Sequence, residues 1–73
     1  MTKTELRNSH FVELIRNTRN TDFDNRILQL RAFARGAGCA FKFDSEHFEL
    51  WSNDQMVHPQ MIYRVVRGKQ NES

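Results

Sequence analysis

His47, three residues beyond Asp44, is the side chain in this sequence best placed to move a proton. An imidazole titrates near neutrality, and a carboxylate beside it would fix its orientation, which is what a general acid or base requires. With arginines nearby to hold phosphates, that pair would suit a small ribonuclease using His47. Three histidines also raise the question of a metal, yet no His-x-x-x-His, Cys-x-x-Cys or Glu-x-x-His spacing occurs. The single cysteine, Cys39, falls by strand parity on the face opposite His47. No metal site and no cofactor are expected. Phosphate-loop and dinucleotide fingerprints are missing too, since Gly36 and Gly38 have no third glycine and follow a helix rather than a strand. The favoured reading is a histidine paired with Asp44 across a loop, and the chain is expected not to be an enzyme.

Anion binding has more support. Eight of the eleven cationic side chains are arginines, whose planar fork suits phosphate and carboxylate. Arg31 and Arg35 fall one turn apart on a predicted second helix, and Gln60, Arg64 and Arg67 form an outward row on a predicted third. Such rows can track phosphates. The leading expectation is therefore a small regulatory module that engages nucleic acid, or a nucleic-acid-handling complex, through Arg31, Arg35, Arg64 and Arg67. No aromatic is interleaved with these residues and no helix-turn-helix turn is evident, so no named nucleic-acid motif is met.

The stretch Cys39 to Ser52 (CAFKFDSEHFELWS) reads as a β-hairpin holding four of the chain's eight aromatic residues. With Asp44 to His47 as the loop, the pairs are Phe43 with Phe48, Lys42 with Glu49, Phe41 with Leu50, and Ala40 with Trp51. One face then collects Phe41, Phe43, Phe48 and Leu50, and the other carries Lys42, His47, Glu49 and Trp51. A tryptophan on the charged face wastes its burial unless something covers it: the third helix, this chain's own Met56 or Tyr63, a second copy, or a partner. Lys42, His47, Glu49 and Trp51 are accordingly the candidate partner-binding set. The corresponding alternative function is a protein-directed inhibitor or adaptor, of a size and charge layout compatible with a phage- or plasmid-borne regulator.

The Ser45-Glu46-His47 step that opens the second strand resembles the catalytic turn of HicA-type toxin ribonucleases. That resemblance is confined to this step: the family's glycine and third strand are unmatched, the first helix is extra, and no residue role is carried over.

These side chains need elements to hold them. Thr2 and Glu5 form a capping-box pattern that starts a helix over residues 3–18, with Phe11, Leu14, Ile15 and Thr18 on one face. Thr21 is placed to cap the second helix, whose apolar repeat is Phe23, Ile27, Leu30 and Ala34, and Gly36 to supply its left-handed stop. Pro59 reads as the first residue of a third helix ending near Gly68, with His58 as its cap, Val57 stapled to Ile62, and Met61, Ile62, Val65 and Val66 inward. The predicted architecture is a small α+β domain over residues 1–67, ordered helix-helix-strand-strand-helix, with three helices on one face of a β-hairpin and residues 68–73 as a frayed tail.

Composition sets the outer limits. A chain of 73 residues supports one core at most, near the size where dimerisation helps, so a homodimer is a candidate assembly. One cysteine cannot close an internal disulfide, and no apolar run is long enough for a signal peptide or a span, which points to the cytoplasm and away from a membrane. No small-molecule substrate is suggested. Residues 1–35 carry seven basic and four acidic groups, residues 36–58 one and four, and residues 59–73 three and one. An acidic hairpin thus lies between basic flanks.

Overall fold

A computed structural model describes residues 1–53, 56 and 58–67. The order is α1 (Lys3–Asn17), α2 (Phe23–Gly36), β1 (Cys39–Phe43), β2 (His47–Ser52) and β3 (Met61–Val66). The strands make one antiparallel sheet in the order β1-β2-β3. The α+β character is as expected, but the third helix is not: residues 61–66 form a strand, giving two helices and three strands. The sequence MIYRVV fits both a short amphipathic helix and a strand, and its β-branched and aromatic residues favour the pleated surface. Pairing decides the matter, because a two-stranded hairpin is marginal and β3 supplies the third strand that completes the sheet. Pro59 precedes that strand and starts no helix. Val57 and the 68–73 tail lie outside the described residues.

Local chemistry explains the helix ends. The Glu5 N–H donates to the Thr2 hydroxyl at 3.1 Å and the Thr2 N–H to the Glu5 carboxylate at 2.9 Å, the reciprocal capping box. For α2 the cap is Asp22 rather than Thr21, its carboxylate accepting the Asn25 N–H at 3.2 Å. A carboxylate is the better acceptor at the positive end of a helix. Gly36 remains helical, and the left-handed residue is Gly38, with φ of 76°. Space around a Cβ at Gly38 is open, so the backbone conformation itself calls for glycine there.

The hairpin takes the expected register, with Phe43 opposite Phe48, Lys42 opposite Glu49, Phe41 opposite Leu50 and Ala40 opposite Trp51. Both helices pack on the face that carries the phenylalanines. Phe11 of α1, Leu30 of α2, and Phe48 and Leu50 of β2 are completely buried. The Phe11 ring lies 5.8 Å from Phe33 and 6.3 Å from both Phe41 and Tyr63, so one residue ties α1 to α2 and the sheet. Phe43 lies on the same face but at its margin, 39% exposed and edge-on to Phe23 at 5.6 Å. No helix among the described residues is long and apolar enough to cross a membrane.

Candidate protein-binding face

With α1 and α2 on one side of the sheet, strand alternation sends Lys42, His47, Glu49 and Trp51 to the other. The third strand widens that face. Glu49 is flanked by Lys42 on β1 and Arg64 on β3, and His47 stands opposite Val66. Between Leu50 and Trp51 the β2–β3 register shifts: Leu50 pairs with Tyr63 and Trp51 with Met61, leaving Ile62 as the extra residue of a bulge. Ile62, in step with Arg64 and Val66, extends the outer face, and Met61, Ile62 and Val66 are 42%, 40% and 52% exposed.

Trp51 is held in place from its own side of the sheet. Its indole N–H donates to Glu49 Oε1 at 2.8 Å, and the Lys42 ammonium sits 4.2 Å from the ring centroid. These contacts satisfy the polar end of the indole and place a cation on the ring, and among the described residues neither helix lies over this half-buried side chain. Tyr63 turns to the core against Phe11 and does not cover it. Among the described residues, Arg64 makes no hydrogen bond or ion pair.

His47 Nδ1 lies 3.7 Å from Asp44 Oδ1, so the sequence-predicted pair does meet across the loop. The same Asp44 oxygen accepts the backbone N–H groups of Glu46 and His47, each at 2.7 Å, and Asp44 N–H donates to the His47 carbonyl at 3.0 Å. Those two backbone N–H groups, the Glu46 one foremost, hold the Asp44 carboxyl below its ordinary 3.8. The carboxylate is thus committed to shaping the turn. Ligand-capable atoms of Asp44, His47 and Glu49 come within 4.8 Å of one another, but the Glu49 oxygen serves Trp51, and Lys42 and Arg64 flank Glu49 with positive charge. That environment disfavours a bound cation.

The four arginines singled out from sequence do not converge. Arg31 and Arg35 are exposed on α2, on the helical side of the sheet, whereas Arg64 occupies the outer face. Arg67, just beyond β3, stacks its guanidinium 5.1 Å from the ring centroids of Phe23 and Phe48 and donates to the Asp44 carbonyl. It ties the end of β3 to the hairpin loop and the start of α2. Arg26, which sequence periodicity did not single out, has a parallel role. It donates to the Ile15 carbonyl at 2.9 Å and the Thr18 hydroxyl at 3.2 Å, and lies 4.9 Å from the Phe48 ring centroid. Burial, then the nearby Arg67 and Arg19 charges, lower its pKa. The outer-face roles of Ile62, Arg64 and Val66 were equally hidden, although a hairpin in need of a third strand and the strand-forming residues of MIYRVV together were a usable signal.

No protein-family model, curated protein or solved structure matches the chain.

Proposed function

We propose that this chain is a small, non-enzymatic binding module that inhibits or adapts a partner protein by covering its surface with the outer face of the sheet. The observation that carries the reading is Trp51, oriented by Glu49 and Lys42 on a face that also exposes Ile62 and Val66. An apolar centre with an aromatic anchor and a rim of mixed charge matches the anatomy of protein interfaces. Nucleic acid fits this face less well, because Glu49 and Asp44 offset Lys42 and Arg64. A cytoplasmic setting, where a lone thiol stays reduced, is part of this reading.

The test is affinity measurement by calorimetry against the partner isolated with the wild-type chain. Trp51→Ala and Arg64→Glu should each weaken binding while leaving thermal stability close to wild type. Unchanged affinity in both variants would remove the reading. Sedimentation of the free chain decides whether the partner is a second copy.

Engagement of nucleic acid is the second reading, favoured by Arg31 and Arg35, which are exposed and, among the described residues, free of ion pairs. A mobility shift that weakens steeply with salt, with a shallower salt slope in Arg31→Gln and Arg35→Gln, would support it.

A further inference from the structure

β1 is an edge strand, and its free edge lies beside α2. The Asp44 N–H to His47 carbonyl bond makes that pair a hydrogen-bonded one, so alternation along the ladder makes Lys42–Glu49 and Ala40–Trp51 hydrogen-bonded as well. The backbone groups of Cys39, Phe41 and Phe43 therefore point away from β2. The other side of β2 follows the same phase: Ser52 N–H donates to the Gln60 carbonyl and Arg67 N–H to the Glu46 carbonyl. Among the described residues, the outward N–H and C=O groups of Phe41 and Phe43 have no backbone partner.

Two hollows line this edge on its helical side. One, of about 320 Å³, is lined by Phe23, Asp24, Ile27, Leu28, Arg31 and Phe43. The other, of about 260 Å³, is lined by Arg31, Arg35, Cys39, Ala40, Phe41 and Asn53. Arg31 borders both, so they adjoin as a groove along β1, mostly apolar beside Phe43 apart from Asp24, and cationic beside Cys39. Volumes at or below the low end for small-molecule sites suit individual side chains better than a metabolite.

We propose that this groove binds an extended, acidic peptide strand of a partner protein by adding it to the edge of β1. Its backbone would pair with Cys39, Phe41 and Phe43. Residues directly opposite these three share their face of the sheet and lean toward α2. The position opposite Phe43 takes a large apolar side chain into the first hollow. Those opposite Phe41 and Cys39 take carboxylates that meet Arg31 and Arg35. A free edge gives affinity through main-chain bonds, and the alternating pockets give sequence preference. Nucleic acid would use the two arginines but neither the ladder groups nor the apolar hollow, so the peptide accounts for more of the site. This surface is separate from the outer sheet face, and Trp51 takes no part in it.

The probe is a capped peptide reading leucine, threonine, glutamate, threonine, glutamate, titrated into the isotopically labelled full chain and followed by NMR. The expected result is saturable shifts and slowed exchange at the Phe41 and Phe43 amides, unchanged in Trp51→Ala. Arg31→Glu with Arg35→Glu, both exposed and checked for fold by circular dichroism, should weaken binding at least about fivefold. N-methylation of the peptide amides that face β1 should abolish the amide protection. The proposal is overturned by equal binding of the peptide with lysines in place of glutamates, or by absence of any shift. Competition by single-stranded nucleic acid without the ladder signature, or protection of Phe41 and Phe43 by self-association before peptide is added, overturns it equally.

Discussion

The indole N–H of Trp51 donates to Glu49 Oε1 at 2.8 Å, two residues away on the same strand, so the largest side chain on the open face is positioned by a residue of its own strand. A residue fixed in this way contributes little to the core but presents a rigid aromatic surface. Trp51→Ala is expected to lower affinity for the partner by more than about 2 kcal/mol. Thermal melts of the free variant should stay near wild type, and a large loss of stability would show that the indole belongs to the core instead.

The buried residues behave in the opposite way. Leu30→Ala should cost about 2 to 5 kcal/mol and Phe48→Ala about 3 to 5 kcal/mol, since neither side chain has any exposure and each would leave a cavity. Phe43→Ala, at 39% exposure, should cost less than about 2 kcal/mol. Chemical denaturation of the three variants gives this ranking directly, and a Phe43 loss equal to that of Phe48 would contradict the marginal position assigned to it.

Arg26 joins the end of α1 to the sheet through the Ile15 carbonyl, the Thr18 hydroxyl and the Phe48 ring. Replacing it by alanine removes hydrogen bonds from a charged donor and should cost about 1 to 3 kcal/mol. Lysine should restore only part of the loss, because an ammonium cannot reproduce the forked contact and the ring stacking together. Full rescue by Arg26→Lys in denaturant melts would reduce its role to charge alone.

Asp44 gives stability a specific acid dependence. Its folded pKa is depressed by the Glu46 and His47 N–H groups, so its contribution is present above the ordinary value of 3.8 and is lost as pH falls through the lower folded value. Asp22, lowered by its side-chain and backbone bonds with Asn25, acts in the same direction. Melting temperature should fall on acidification through this range. The Asp44→Ala variant should start lower and show a flatter acid limb, and an unchanged limb would mean that Asp44 does not couple to folding.

The hairpin was legible because Phe41, Phe43, Phe48 and Leu50 alternate with charged residues, and a slip of one position would expose every one of them. The two helices were legible from their 3.6-residue repeats. β3 was not, because Met61, Ile62, Val65 and Val66 satisfy a helical stripe as well as a strand, and it takes the sheet's need for a partner together with their strand preference to separate the two. That single error hid half of the open face: Arg64 stood on a helix in the sequence reading and lies beside Glu49 in the fold. The groove along β1 was hidden for a different reason, since it depends on which backbone groups face outward, a property of hydrogen-bond phase rather than of residue type.

The central claim, that the outer sheet face is a protein-binding surface, is tested most directly by photo-crosslinking in the producing cell. A benzoyl-phenylalanine in place of Ile62 samples that face, and one in place of Glu13, exposed on α1, samples the opposite side. The expected result is a discrete protein adduct from position 62, absent from position 13 and lost when Trp51→Ala is added. Adducts only to nucleic acid, or a protein adduct from position 62 that persists without Trp51, would contradict it.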